Sequence, residues 1–317
     1  MKAIQIPRRG GSFELVERPI PEPGAEQVLL RVEACGVCHG ENVAIEGHMP
    51  GVQYPRVPGH EVIGIIEKLG SNVSGWKVGQ RVGVGWDGGH GQVTGLTVDG
   101  GYAEYTVAFA DALVVIPEGL GAIEAAPLMC AGVTTFTALK HSKARMGDIV
   151  AIQGIGGLGH LAIQFARKAG FRTVAISRGR QKEALARQLG AHDYIDTETQ
   201  DVAKALKVLG GAKVVIATAP NAKAIEAVVG GLATDGEVVI VAGSGEKMEL
   251  SPVQLLGRYA VRGWVAEGPH DTDETVRFSV LTNVQPMVEV FPLEKASEAY
   301  AHMMKADVRF RAVLKMS

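Results

Sequence analysis

The second half of the chain is constrained most strongly by a regular alternation of two apolar patterns. Between residues 149 and 241, short apolar runs typical of buried strands alternate with segments whose apolar residues recur at helical spacing. Repeated strand–helix–strand units favour an α/β fold with a parallel, doubly wound sheet. The predicted strands are Ile149–Gln153, Thr173–Ser177, Val214–Ala217 and Val238–Val241, and the predicted helices are Leu158–Lys168, Lys182–Leu189 and Ala222–Val229.

The first 110 or so residues have a different, β-rich pattern. Short runs such as Val28–Val32 and Val62–Ile66 are bounded by Gly, Pro and Asn, and the many glycines suit tight bends in a partly open barrel. After residue 265 we predict two helices, Glu274–Leu281 and Lys295–Lys305. A last strand, Phe310–Lys315, is expected to return to the first domain.

These patterns divide the chain into two domains, a number that 317 residues allow. We expect a β-rich domain of residues 1–131 and 268–317, interrupted by the α/β domain of residues 132–267. The Met287–Phe291 segment could supply an edge strand for pairing between subunits.

Composition and charge exclude several classes of function. The chain has 32 basic and 34 acidic residues, a formal net charge of −2, so nothing indicates binding to nucleic acid or to an anionic membrane. No stretch reaches the roughly 18 apolar residues that span a bilayer, and Met1–Arg9 lacks the apolar run of a signal peptide. Three cysteines, an odd number, favour metal binding or reactive thiols in a reducing compartment. We therefore expect a cytoplasmic protein.

A glycine-rich turn joins the first strand of the α/β domain to its helix. The turn reads Gly154-Ile155-Gly156-Gly157-Leu158-Gly159. Its glycines permit a tight bend and let a pyrophosphate approach the helix N-terminus closely, as in the dinucleotide-binding turn of a Rossmann fold. The alternative is a glycine-rich turn with no ligand.

The end of the second strand indicates which dinucleotide binds. An NAD site usually places Asp or Glu there to accept from the ribose 2′-hydroxyl, but here Ser177 is followed by Arg178 and Arg180. Guanidinium groups bind a 2′-phosphate through charge-assisted hydrogen bonds, whereas a carboxylate would repel it. We therefore predict NADP(H) over NAD(H). The alternative is that both arginines belong to a solvated turn.

Three residues that lie far apart in the chain, Cys38, His60 and Cys130, have the chemistry of an open zinc site. Two thiolates and one imidazole are one ligand short of the tetrahedron that zinc prefers, which is the arrangement of a catalytic rather than a structural site. Two alternatives remain: Cys35 and Cys38 could form a redox pair, and His60 could be a buried structural histidine.

The motifs around these residues resemble those of zinc-dependent alcohol dehydrogenases of the medium-chain dehydrogenase/reductase superfamily. The similarity covers nearly the whole chain. Besides the glycine-rich turn it rests on four segments: Cys35-Gly36-Val37-Cys38-His39, Gly59-His60-Glu61, Gly100-Gly101-Tyr102-Ala103-Glu104-Tyr105 and Cys130-Ala131-Gly132-Val133-Thr134-Thr135.

The resemblance implies a fold, a cofactor set and residue roles. The first domain would be GroES-like, and Cys38, His60 and Cys130 would bind one catalytic zinc. The remaining roles are these: Glu61 would approach the metal transiently, Thr134 would lie against the nicotinamide, His39 and Arg311 would approach the cofactor phosphates, and Cys35 would be a bystander. The substrate would be a small alcohol or carbonyl compound, and the protein would be a homodimer or homotetramer.

The chain departs from the family pattern in three places. A lobe with four cysteines that holds a structural zinc is usual, but here only Gly91-Gln92 stands in its place, so no structural zinc is expected. The residue after the Cys-His pair is commonly Ser or Thr and passes the substrate proton, but here it is Gly40. The proton must then leave by water, a ribose hydroxyl or an imidazole such as His39 or His48. The acid that orients the histidine ligand is usually Asp, and here it is Glu41.

Together these features predict hydride transfer between a nicotinamide and a primary or secondary alcohol or its carbonyl product, with zinc as Lewis acid. Two other hypotheses remain: a zinc-free quinone or enoyl reductase of the same superfamily, and a non-catalytic NADPH- or zinc-binding protein.

Overall fold

The computed structural model describes residues 1–266, 268–305 and 308–316. The chain forms two compact units. The first contains Met1–Val133 and, later in the chain, residues 268–281 and 285–316 as far as they are described; the second contains Thr134–Ala266 and Thr282–Val284. The boundary that the sequence suggested after residue 131 differs from this division by two residues, and Glu267 lies outside the described residues.

The first unit is built on a seven-stranded sheet. Its strands are β3 (Gln27–Val37), β4 (Val62–Leu69), β5 (Arg81–Val84), β6 (Tyr105–Phe109), β7 (Val114–Val115), β14 (Val288–Pro292) and β15 (Arg311–Lys315). They follow the order β14-β15-β3-β4-β5-β7, and β6 also pairs with β3. A two-stranded sheet of β1 (Lys2–Gln5) and β2 (Glu14–Glu17) also belongs to this unit.

Helices of the first unit are short, apart from one near the C-terminal end. They are α1 (Glu41–Glu46), α2 (Ala122–Ala125), α9 (Gly268–Thr282) and α10 (Ala296–Met304). The predicted helices after residue 265 are confirmed, although α9 begins six residues before the predicted start at Glu274. The predicted return of the last strand is also confirmed, because β15 pairs antiparallel with β3. The predicted edge strand exists as β14, at one end of the sheet order.

The second unit has a six-stranded sheet in which every pair of strands is parallel. The order is β10-β9-β8-β11-β12-β13, which confirms the doubly wound fold. Its strands are β8 (Ile149–Gln153), β9 (Arg172–Ser177), β10 (Asp193–Asp196), β11 (Ala212–Ala217), β12 (Leu232–Ile240) and β13 (Ala260–Gly263). Its helices are α4 (Gly159–Lys168), α5 (Glu183–Gln188), α6 (Val202–Leu209), α7 (Ala222–Val229) and α8 (Pro252–Leu255), and most of α3 (Ala131–Lys140) also belongs here.

All seven strands and helices predicted between residues 149 and 241 are present, whereas β10 and α6 in the same range were not predicted. The run Asp193–Asp196 has charged residues at both ends and is too short to show a period. The helix α6 does have sequence signals at both ends, an N-terminal capping residue and a C-terminal glycine. The Asp201 side chain accepts from the Lys204 amide, and Gly210 ends the helix in the left-handed conformation.

In the described part of the chain no single helix is long and apolar enough to cross a membrane. One bent pair, Ala122–Met129 and Ala131–Lys140, passes that test by length and composition only.

Candidate metal centre and dinucleotide turn

Four side chains that could ligate a metal converge within the first unit. The ligand atoms of Cys38, His60, Glu61 and Cys130 all lie within 4.8 Å of one another, and the two sulfurs are 3.8 Å apart. Cys38 follows the end of β3, His60 and Glu61 precede β4, and Cys130 lies directly before α3. Because β3 and β4 are paired, two of these segments meet at one edge of the sheet. The donor set, two sulfurs with one imidazole and one carboxylate oxygen, fits zinc.

Glu41 orients the histidine of this cluster. One carboxylate oxygen accepts from the Cys38 backbone amide at 2.7 Å. The other lies 2.8 Å from His60 Nδ1, close enough for an ion pair although the contact does not have hydrogen-bond geometry. The opposite ring nitrogen, Nε2, has no hydrogen-bond partner in the described chain. A carboxylate beside one ring nitrogen leaves the other for a metal, which is the usual arrangement around a histidine ligand. Glu41, although one methylene longer than the usual Asp, therefore still reaches the His60 ring.

Glu61 is completely buried and is paired with Arg311. One of its oxygens accepts from the Arg311 guanidinium, and the other has no hydrogen-bond partner among the described residues. Burial raises the pKa of Glu61 to about 7, against the opposing effect of the Arg311 charge. Gly36 makes room for this carboxylate, because a Cβ there would stand 1.8 Å from Glu61 Oε2. The sequence did not predict this pair. The family resemblance places Arg311 near the cofactor phosphates, which stays a prediction, whereas in the structure the guanidinium is buried against Glu61.

The thiols of Cys38 and Cys130 are hydrogen-bonded to each other, so the ionisation of one affects the other. The pKa of Cys38 lies well below its usual range, chiefly because of its hydrogen bond with the Cys130 thiol, with His60 and Arg311 adding to this effect against that of burial. The same hydrogen bond and burial raise the pKa of Cys130. The pair therefore loses its first proton easily and its second with difficulty. Thiolates are the metal-binding form of cysteine, so the environment prepares one ligand in advance.

The absence of a side chain at Gly40 has a steric reason. A Cβ at this position would stand 2.9 Å from His60 Cε1 and 3.3 Å from Trp86 Cζ3. The Trp86 ring packs edge-to-face on His60, with 5.0 Å between the ring centroids. A serine or threonine side chain at position 40 would therefore require the His60 ring or the Trp86 ring to shift. The neighbouring His39 is exposed, and no described contact ties it to a cofactor site.

Cys35 is not one of the clustered ligands, and its environment is apolar. It is fully buried in the hydrophobic core of the first unit, and a Cβ at Gly59 or Gly101 would stand 2.9 Å from its sulfur. Burial raises the pKa of this thiol well above its usual range, which disfavours the reactive thiolate of a redox pair.

The glycine-rich turn of the second unit lies between β8 and α4. Gly154 has φ of +94°, and a Cβ at Gly159 would stand 2.0 Å from the Gly154 carbonyl oxygen, so both positions require glycine. Gly156 differs, because a Cβ there would meet nothing within 4 Å. Steric demands of the protein explain two of these glycines, and the open space at Gly156 is where the backbone can be approached by a ligand.

The predicted determinants of cofactor choice lie at the end of β9. Ser177 is the last residue of the strand, and the side chains of Arg178 and Arg180 are exposed by 86% and 82%. Each arginine faces one carboxylate: Arg178 Nε lies 2.9 Å from Glu198, and Arg180 Nε lies 3.5 Å from Glu183. Thr134, predicted to contact the nicotinamide, is half-buried in α3.

A compact turn stands where a cysteine-containing lobe would be inserted. The Gly88 amide donates to the Gln92 carbonyl, the Gln92 amide donates to the Gly89 carbonyl, and Asp87 bridges to Val93. His90, at the tip, stacks on Phe109.

Comparisons with known proteins agree with this architecture. A family model described as Alcohol dehydrogenase GroES-like domain matches residues 24–118, and one described as Zinc-binding dehydrogenase matches residues 157–280. Alcohol dehydrogenase patD of Penicillium expansum is 40% identical over 333 aligned positions, which cover 99% of this chain and 97% of that protein. The alignment is longer than the 317 residues of this chain, so the relative has insertions that this chain lacks.

Solved structures extend the same comparison to the fold. A crystal structure of an NAD-dependent alcohol dehydrogenase superposes with a TM-score of 0.92 at 26% identity, covering 100% of both chains. CAD from Helicobacter pylori, in complex with NADP(H), superposes with a TM-score of 0.85 at 25% identity, covering 99% of this chain and 97% of that one. The expected combination of a GroES-like domain and a Rossmann domain is thereby confirmed. The chain therefore belongs to the zinc-dependent alcohol dehydrogenases of the medium-chain dehydrogenase/reductase superfamily and is an oxidoreductase.

Proposed function

We propose that this protein is a zinc-dependent, NADP(H)-preferring alcohol dehydrogenase that interconverts primary or secondary alcohols and their carbonyl products. The observation that carries the proposal is the cluster of Cys38, His60, Glu61 and Cys130, whose ligand atoms lie within 4.8 Å of one another. Bound zinc would supply Lewis-acid polarisation of the substrate oxygen, which assists hydride transfer to or from the nicotinamide.

The residues of the cluster divide the work of holding one metal ion. Cys38 and Cys130 bring two negative charges, which offset the charge of a divalent cation. His60 would ligate through Nε2, because Glu41 lies at Nδ1 and orients the ring. Three ligands leave a fourth position for substrate or water. Glu61 would be the acid that can approach the metal, and its contact with the Arg311 guanidinium would restrain that approach.

The short turn at Gly88–Gln92 is evidence for the proposal that each chain binds only one metal ion. No cysteine lies between Cys38 and Cys130 in the sequence, so the thiolates of a second, structural zinc are not present in that segment.

The preference for NADP(H) rests on Ser177, Arg178 and Arg180. Both arginines are exposed, and Ser177 stands where an NAD site usually has the carboxylate that would repel a 2′-phosphate. Among the structurally similar proteins one is described as NAD-dependent and another binds NADP(H), so the fold accommodates both cofactors. The charge at the end of β9 decides between them.

Release of the substrate proton cannot use a side chain at position 40, since Gly40 has none. Water, a ribose hydroxyl or an imidazole must carry the proton, with His39 and His48 as the exposed candidates in this part of the chain.

The protein is further proposed to act in the cytoplasm as a homodimer or homotetramer. The edge strand β14 has Val290 exposed by 47% and offers backbone groups for pairing with a second subunit. Light scattering on the purified protein reports the subunit number, and a monomer at micromolar concentration would contradict the proposal.

The deciding experiment is a substrate panel run with both cofactors on protein of measured zinc content. Benzaldehyde reduction should require zinc, stop after chelation, return on zinc addition, and show a higher kcat/KM with NADPH than with NADH. Metal-independent turnover of a quinone would instead indicate the zinc-free reductase. Binding of NADPH without any turnover would indicate a non-catalytic protein.

A further inference from the structure

The turn that carries the two arginines is held at its centre by the neighbouring strand β10. Gly179, which separates Arg178 from Arg180, donates its amide to Asp196 Oδ1 at 2.8 Å. Its carbonyl accepts from the Tyr194 hydroxyl at 2.6 Å. Gly179 has φ of +69°, so the turn has one defined conformation that favours glycine. Both backbone groups of this residue are therefore fixed by side chains from β10.

Asp196 also fixes the acidic partner of Arg178. This aspartate is only 5% exposed, and it accepts from the Glu198 amide at 2.9 Å and from the Thr199 hydroxyl at 3.3 Å. One buried carboxylate thus ties together the turn that carries Arg178 and the turn that carries Glu198. The exposed ion pair between them, 2.9 Å from Arg178 Nε to Glu198 Oε1, is a consequence of this shared anchor.

We propose that Glu198 is a specificity-determining counter-charge for the 2′-phosphate of the cofactor, and that Asp196 and Tyr194 are the positioning residues of the arginine turn. This inference rests on the proposed preference for NADP(H). Glu198 occupies the Nε donor of Arg178, which a phosphate could use, and its negative charge opposes a second anion at the same place.

The energetic balance favours exchange of one anion for the other. An exposed ion pair is weak, because water solvates both groups and the side chains lose freedom. A phosphate oxygen accepts stronger, charge-assisted hydrogen bonds from a guanidinium. Glu198 is therefore displaced on binding, and the enzyme keeps a smaller discrimination against NAD(H) than two unopposed arginines would give.

The second ion pair of the turn provides a matched control. Arg180 Nε lies 3.5 Å from Glu183, and Glu183 is shared with Arg187 one helical turn further on, at 3.1 Å. Glu183 is therefore held on α5 by another partner and competes less for its arginine.

The test uses two small nucleotides that differ in the 2′-phosphate and need neither metal nor substrate. Adenosine 2′,5′-bisphosphate and 5′-AMP are titrated calorimetrically into wild type, Glu198→Gln and Glu183→Gln. Glu198→Gln should strengthen binding of the bisphosphate about three- to fivefold and leave 5′-AMP unchanged. Glu183→Gln should change neither by more than about twofold. The effect of Glu198→Gln should shrink as salt is raised, because the charges are exposed.

The positioning role has its own readout. Tyr194→Phe removes only the hydroxyl that holds the Gly179 carbonyl, and it should weaken bisphosphate binding about two- to threefold with 5′-AMP unchanged. A role in stability alone would lower the melting temperature without this selective loss and would overturn the assignment of Tyr194.

The outcomes separate this inference from the proposed function. Unchanged bisphosphate affinity in Glu198→Gln, or an equal gain for 5′-AMP, would overturn the inference while a wild-type preference for the bisphosphate still supports NADP(H). A wild type with no such preference would overturn the NADP(H) proposal. If Glu198→Gln then created the preference, the counter-charge role would be supported by itself.

Discussion

The metal cluster and the arginine turn both depend on charged side chains, but they differ in how those charges meet water. In the cluster Glu41, His60, Glu61 and Arg311 are nearly or completely buried, so each must have a partner of opposite charge or a metal. In the turn Arg178 and Arg180 are more than four-fifths exposed, and their partners add little to stability. Because its charges are buried, substitution of any charged residue in the metal cluster should have a large effect. Substitutions in the exposed arginine turn should have small effects, so they can change the cofactor preference in small steps.

The largest effect should come from removing one charge of the buried pair. Glu61→Ala leaves the Arg311 guanidinium buried without its carboxylate and should lower the free energy of unfolding by about 3–5 kcal/mol. Urea unfolding followed by circular dichroism at pH 8 measures the change. The control is Glu67→Ala, which breaks an exposed pair with Arg31 of 2.8 Å and should cost less than about 1 kcal/mol. Equal losses in the two variants would remove the distinction between buried and exposed charge.

A methyl group at Gly40 should damage metal binding without removing any ligand. Gly40→Ala places a Cβ 2.9 Å from His60 Cε1 and 3.3 Å from Trp86 Cζ3, so one of these rings must shift. Mutation of residues that orient a metal ligand typically costs about 10- to 100-fold in metal affinity, and we expect a loss in this range. Competition with a chromogenic zinc chelator measures the change, and an unaltered zinc affinity would contradict the steric argument.

The reciprocal substitution in the other site should leave zinc untouched. Gly156→Ala adds a methyl group that meets no protein atom within 4 Å, so stability should change by less than about 1 kcal/mol. The methyl group nevertheless occupies the space through which a pyrophosphate approaches the backbone, so NADPH affinity should fall about tenfold or more. Fluorescence titration of NADPH checks this. Undiminished NADPH affinity would mean that the cofactor does not lie against this turn.

The smallest effect is expected at Cys35. Cys35→Ala removes one buried sulfur and should cost about 1–2 kcal/mol of stability, with zinc content and turnover unchanged. Loss of activity in this variant, together with a Cys35–Cys38 disulfide in the oxidised wild type, would favour the redox-pair hypothesis instead.

The sequence allowed a prediction of which side chains form the metal cluster, because thiol and imidazole groups in recognisable segments limit the chemistry. It did not allow a prediction of the Glu61–Arg311 pair, which joins residues 250 positions apart. That pair depends on the register of β15 on β3, where Ala312 lies opposite Val37 and so brings Arg311 beside the segment of Cys38. The return of the last strand was predictable from its apolar pattern, but the register was not.

In the cofactor site, too, the sequence indicated which residues matter but not which residues they contact. The sequence was enough to single out Arg178 and Arg180, because they follow the end of the second strand, where an NAD site usually has an acidic residue. Their surroundings could not, since Asp196 and Tyr194 belong to β10, a strand that the pattern did not reveal. Likewise the need for Gly40 becomes evident only when His60 and Trp86 are seen packed against it.

The most direct test of the account is the zinc content of the purified protein, measured by inductively coupled plasma mass spectrometry for wild type and Cys130→Ser. The account predicts close to one zinc ion per wild-type chain and almost none in Cys130→Ser, with NADPH binding retained in the variant. A Cys130→Ser protein that keeps its zinc, or a metal-free wild type that reduces aldehydes at full rate, would contradict it.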